Sequence, residues 1–173
     1  NEPARSSQDG RAVGMEVLYQ QKLFEGFFGT LAYTLVRSEF EDARGDLVPS
    51  SWDNRHIISL TGGKKFGDNW ELGLQYQFLG GAPYTPIDVY TSSLVPVYDA
   101  NRRGLPDYSR LNERRFEGFN RLNVRVDKKW FFQKWSLNIY LDVRNALGES
   151  IEGVPLLAPQ LDSNGKPITF TDP

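Results

Sequence analysis

The sequence predicts an all-β protein, an antiparallel up-and-down meander of about six strands that forms part of a transmembrane β-barrel. Three observations carry that expectation. Apolar and polar residues alternate with a period of two in six segments, the links between the segments are alternately short and long, and aromatic residues gather beside the short ones. A period of two marks a strand, because successive side chains point to opposite faces. Tight turns at one end and extended loops at the other are the asymmetry of outer-membrane barrels.

The segments follow one another in order. The first, near 12–22, sets Met15, Val17 and Tyr19 against Gly14, Glu16 and Gln20, with Leu18 breaking the pattern. The second, near 28–37, sets Leu31, Tyr33 and Leu35 against Thr30, Ala32 and Thr34. The third, 56–66, is the weakest, with Ile58 and Leu60 against Ser59 and Thr61. In the fourth, 70–79, Trp70, Leu72, Leu74, Tyr76 and Phe78 alternate with Glu71, Gly73, Gln75 and Gln77. The fifth, 120–130, sets Leu122, Val124, Val126 and Trp130 against Asn123, Arg125, Asp127 and Lys129. The sixth, 135–145, sets Trp135, Leu137, Ile139, Leu141 and Val143 against Ser136, Asn138, Tyr140, Asp142 and Arg144.

"KLFEGF", "FGDN" and "FFQK" are links of hairpin length. The stretches 38–55, 80–119 and 146–173 are expected as long loops of a single unit spanning 1–173, and loops of that length are usually functional or disordered. Phe24, Phe27, Phe28, Phe66, Trp70, Trp130, Phe131, Phe132 and Trp135 all lie beside the short links, where an aromatic girdle sits at a membrane interface. A strand of about nine residues at roughly 3.3 Å each, tilted by about 45°, spans on the order of 20 Å, close to the apolar band of about 25 Å of such barrels.

Composition narrows the alternatives. The net charge is −2, so no global field favours nucleic acid or an anionic surface. Zero cysteines remove disulfides, thiolate metal sites and a cysteine nucleophile together, which suits passage through an oxidising compartment. No apolar run is long enough for a transmembrane helix, and "NEPARSSQDG" is too polar for a signal peptide. A barrel wall would turn Trp70, Leu72, Leu74, Tyr76, Leu137, Ile139 and Leu141 to lipid. It would turn Glu16, Gln75, Arg125, Asp127, Asp142 and Arg144 to an aqueous lumen, where the charged ones are expected to pair across neighbouring strands. The competing reading is a soluble β-sandwich or small barrel, a binding module whose apolar face is its own core.

The segments "GRAVGMEVLYQQKLFEGFFGTLAYTLVRSE", "WDNRHIISL", "GGAPYTPIDV", "RLNVRVDKKWFFQKWSLNIYLDVRNA" and "DSNGKPI", in this order and spacing, resemble the C-terminal part of TonB-dependent outer-membrane receptors of the Bacteroidetes type. The resemblance covers nearly the whole chain. It implies a location in the bacterial outer membrane and a barrel of roughly 22 strands around a plug domain. It also implies contact with TonB through that plug and import of a scarce ligand such as a metal chelate, vitamin or glycan. Against that pattern the plug, the earlier strands and the last strand are missing, so lipid, the rest of the barrel and the plug are the expected partners. Six strands alone would leave two edges that lipid cannot satisfy.

No catalytic constellation, metal site or cofactor is expected. His56 lies in "WDNRHI" near Asp53 and Arg55, but no G-x-S-x-G elbow accompanies it, and the resemblance makes the stretch the start of a strand. The acidic residues Glu39, Glu41, Asp42 and Asp46 lack the EF-hand spacing. "GGKK" fails the Walker pattern, because Ile58 and Lys65 stand where glycine and Ser or Thr are needed. The pairs Arg102–Arg103, Arg114–Arg115 and Lys128–Lys129 are diluted by acids, which argues against nucleic acid. Ligand contact is expected of Tyr84, Tyr90, Tyr98, Arg102, Arg103 and Tyr108 in the long loop, because aromatic faces with guanidinium groups suit chelates or sugars.

Overall fold

The computed structural model describes residues 9–151 and 153–155. In chain order the elements are β1 (Gly10–Phe24), β2 (Phe27–Glu41), β3 (Leu47–Pro49), β4 (His56–Phe66), β5 (Trp70–Leu79), β6 (Pro83–Tyr84), α1 (Val89–Ser93), α2 (Val95–Asn101), a 3-10 turn (Tyr108–Arg110), β7 (Arg114–Arg115), β8 (Phe119–Phe131) and β9 (Ser136–Val143). The six long strands pair antiparallel in the order β1-β2-β4-β5-β8-β9, an up-and-down sheet with β3 hung on β2. It does not close on itself: β1 and β9 are its outer strands.

β4 and β5 have the bounds that the alternation gives. β1 and β2 run further, and their ladder continues to Gly10↔Phe40. Backbone pairing needs no apolar alternation, and the Arg11–Glu39 ion pair at 2.7 Å holds that charged end together. The 38–55 stretch is accordingly shorter as a loop than expected, since β2 ends at Glu41 and β3 folds back onto Glu39–Glu41. The 80–119 stretch is also no plain loop. It holds β6 paired with β7 and two short helices, and Asp88 caps α1 by accepting from the Thr91 amide.

All three tight turns lie at one end of the sheet. Between β1 and β2, Glu25 (φ 48°) and Gly26 (φ 84°) are both left-handed, which a two-residue hairpin requires to match strand twist. Gly67 and Asn69 turn β4 into β5 with φ of 49° and 64°. Phe132 donates its amide to the Trp135 carbonyl at 2.8 Å, and their rings stack at 3.9 Å to close β8 onto β9.

Register decides which residues share a face. The chain of partners Met15↔Leu35, Leu35↔His56, Tyr33↔Ile58, Leu60↔Tyr76, Leu74↔Val124 and Val126↔Leu141 runs across all six strands on one side. Trp70, Leu72, Leu74, Tyr76, Leu137, Ile139 and Leu141 all belong to that side. The other carries Glu16↔Thr34, Thr61↔Gln75, Gln75↔Asn123, Arg125↔Asp142 and Asp127↔Tyr140. Glu16, Gln75, Arg125, Asp127 and Asp142 therefore share the polar face, and the alternation carries Arg144 with them. Two girdle residues depart from the rest: Phe28 pairs with Gly63 and Phe131 with Ser136, so both rings belong to the polar face. Phe28 covers the backbone that Gly63 leaves bare, since a Cβ there would lie 2.8 Å from the ring.

Nothing among the described residues covers the apolar face. Among these residues no hydrophobic side chain is buried, and Leu74, Ile139 and Leu141 are 43, 56 and 67% exposed. An apolar face of this extent, left in water, forfeits the roughly 25 cal/mol per Å² that burial contributes.

Candidate functional site

The polar face is concave, with a hollow of about 560 Å³ lined from β2 to the end of β9, among others by Phe28, Gln75, Arg121, Asn123, Arg125 and Arg144. Gly62 and Gly73 are among its lining residues. Across it Arg125 donates to both oxygens of Asp127 at 2.8 and 2.9 Å, Asn138 donates to the same carboxylate at 3.1 Å, and the guanidinium stacks 3.8 Å from the Tyr140 ring. Asn123 donates to Gln75 at 2.9 Å, and Arg144 to Asp142 at 3.1 Å.

These ion pairs run along a strand, from i to i+2, and not across neighbours as the sequence suggests. A guanidinium bonds the same-face carboxylate two residues away: Tyr140 stands opposite Asp127, and Asp142, opposite Arg125, is held by Arg144 instead. Glu16 has no ion pair among the described residues. The one cross-strand cluster on this face is Glu71 between Lys65 (4.0 Å) and Lys129 (3.9 Å). The exposed pairs of this face contribute at most about 1 kcal/mol each, whereas Asp127, only 8% exposed, is a buried carboxylate with Arg125 and Asn138 as its partners.

At the end opposite the tight turns, the loops build a crown with a polar interior. Asp53 is 1% exposed; it accepts the Ser38 amide at 3.0 Å and pairs with Arg115, whose other nitrogen donates to the Asp53 and Gly81 carbonyls. Asn112, also buried, donates to the Pro49 carbonyl at 2.7 Å, and buried Ser92 accepts the Leu105 amide at 2.8 Å. Gly80 and Gly81 let this crown sit on the sheet, because a Cβ would lie 2.1 Å from the Asn54 oxygen and 1.7 Å from the Phe116 oxygen respectively. The "LGGAP" break after β5 is thus a close backbone crossing. Thr91, through its hydroxyl and then its amide, holds the Asp88 carboxyl below its ordinary range, and the Asp46 amide does most to lower that of Asp42.

The six loop residues do not converge. Tyr84 stacks on Phe116 at 4.4 Å, and Arg102 lies 6.0 Å from the Tyr98 ring while pairing with Asp99 at 3.3 Å. Tyr90 and Tyr108 are 72 and 73% exposed, and Arg103 is exposed beside Arg102. None of the six lines the polar hollow or a second one of about 760 Å³ between the crown base and Gly148–Ile151. That second hollow is edged by Asn120, which donates its amide to Glu149 at 2.6 Å and accepts the Tyr76 hydroxyl at 2.7 Å. His56 is bound to the Tyr33 hydroxyl at 2.9 Å on the apolar face, away from Asp53.

Sequence reasoning missed the Asp53–Arg115 clasp, whose partners lie far apart in the chain. The only signal was a charged residue near the end of each of two long loop stretches, Asp53 in 38–55 and Arg115 in 80–119. No family model, curated protein or solved structure matches this chain.

Proposed function

We propose that this chain is barrel wall and loop crown of a TonB-dependent outer-membrane receptor, contributing to the passage for a scarce ligand such as a metal chelate, vitamin or glycan. The observation that carries the reading is the uncovered apolar face: no described hydrophobic side chain is buried in a chain with six paired strands. Hydrocarbon is the medium in which such a face is stable without a second layer. The polar hollow on the other side, the tight turns at one end and the crown at the other support the same reading. Under it the tight turns face the periplasm, and further strands of the same wall meet the outer edges of β1 and β9. A plug domain would occupy the hollow and carry the contact to TonB.

Fractionation tests it. The protein is expected in the bacterial outer-membrane fraction and to need detergent for extraction. A monomer in plain buffer with a cooperative melt would contradict the reading.

A further inference from the structure

Two Lys-Lys pairs, Lys64–Lys65 and Lys128–Lys129, stand at the tight-turn end, and each straddles the sheet. Lys65 and Lys129, on the polar face, both approach Glu71. Lys64 and Lys128 project from the apolar face, where their register partners are Phe27, Leu72, Trp70 and Ile139. Neither has an ion pair among the described residues. Their ammonium groups lie instead on aromatic rings, Lys64 at 4.1 Å from Phe27, and Lys128 at 5.2 and 5.6 Å from Trp70 and Trp130. Lys128 also donates to the Asp68 carbonyl in the turn.

Among the described residues in the register of β2, β4, β5, β8 and β9, these two lysines are the only charged residues of that face between the apolar band and the turns, and both are cations. A lysine on a lipid-facing wall keeps its stem on apolar surface and sends its ammonium to the headgroup level, where Trp and Tyr also settle. We propose that Lys64 and Lys128, framed by Phe27, Phe66, Trp70 and Trp130, bind the phosphodiester groups of anionic phospholipid in the leaflet beside the tight turns. This rests on the membrane reading above.

The occupant follows from charge complementarity. Two unpaired cations without a neighbouring acid on their face leave a net positive rim, and the adjoining rings exclude a strongly hydrated partner. The offset between the two fits separate headgroups: two strand spacings across and two residues along place their Cα atoms roughly 12 Å apart.

The test titrates the protein in neutral detergent micelles with short-chain phosphatidylglycerol or phosphatidylcholine, following tryptophan fluorescence. Phosphatidylglycerol is expected to bind more tightly, by about fivefold for each lysine and so roughly 25-fold for the pair. Lys64→Gln with Lys128→Gln should bring the two lipids close to parity, whereas Lys65→Gln with Lys129→Gln should keep the preference, as should Lys64→Arg with Lys128→Arg. A preference that survives the first double variant with unchanged far-UV spectrum overturns the inference and leaves the membrane reading standing, as does equal binding of both lipids by the unaltered protein. A folded monomer that needs no detergent and binds neither lipid overturns both.

Discussion

In the wall, Leu74, Ile139 and Leu141 are 43, 56 and 67% exposed; in the crown, Asp53 is 1% and Ser92 0% exposed. Among the described residues neither region buries a hydrophobic side chain, but the wall leaves its apolar groups exposed while the crown encloses its polar ones, and the two are stabilised differently. The wall is held by its backbone ladder, with its apolar groups exposed. The crown is held by specific polar contacts, each of which must be complete, because a buried polar group without its partner costs more than a made contact contributes. Sequence change is therefore expected to act on the wall through which face it alters, and on the crown through which partner it removes.

The largest effect should come from breaking the crown. Asp53→Ala strands Arg115 and the Ser38 amide, and removing one member of a buried pair costs about 3–5 kcal/mol. Hydrogen exchange should accelerate across 80–119 while the β4–β5 ladder stays protected. Uniform acceleration across both regions would erase the distinction between them.

The wall should respond by face. Leu74→Arg is expected to cost about 2–4 kcal/mol if Leu74 lies at mid-membrane, while Gln75→Arg costs little. Denaturant unfolding from lipid vesicles measures both. Equal costs at these adjacent positions would contradict the assignment of faces.

Acid should separate the regions more gently. The Asp88 carboxyl is lowered in the folded chain, mainly by the Thr91 hydroxyl. A lowered carboxyl contributes stability that is present above its unfolded value, near 3.8, and lost as pH falls through the lower folded value. From about pH 4 downward, the Asp88 cap of α1 should therefore weaken. Exchange of the Thr91 and Ser92 amides followed against pH reads this, and the same profile after Asp88→Asn would remove the cap from the explanation.

The wall was legible in the sequence because its information is local. Trp70 to Phe78 alternates so cleanly that the strand, its bounds and the face of each residue follow from period alone. What alternation hides is pairing that polar residues sustain, as at Arg11 and Glu39, and ring direction beside a turn, as at Phe28, which shares the polar face because glycine makes room there. The crown was illegible for the opposite reason. Asp53 meets Arg115, and Pro49 meets Asn112, across more than sixty positions of chain, and no periodicity marks such contacts. The loop aromatics show the limit of composition: Tyr84 and Tyr98 are engaged by their own neighbours, so a mixture suited to ligands is not by itself a site.

With no native cysteine in the chain, Leu72→Cys, Gly73→Cys, Leu74→Cys, Gln75→Cys and Tyr76→Cys can each carry a single nitroxide, which makes side-chain surroundings directly readable in membranes. Collision with oxygen, which concentrates in hydrocarbon, and with a water-soluble nickel chelate should alternate with period two: oxygen dominant at 72, 74 and 76, the chelate at 73 and 75. Labels at 72, 74 and 76 that meet the chelate as readily as those at 73 and 75, or that meet neither agent, would contradict the claim that this face is built against lipid.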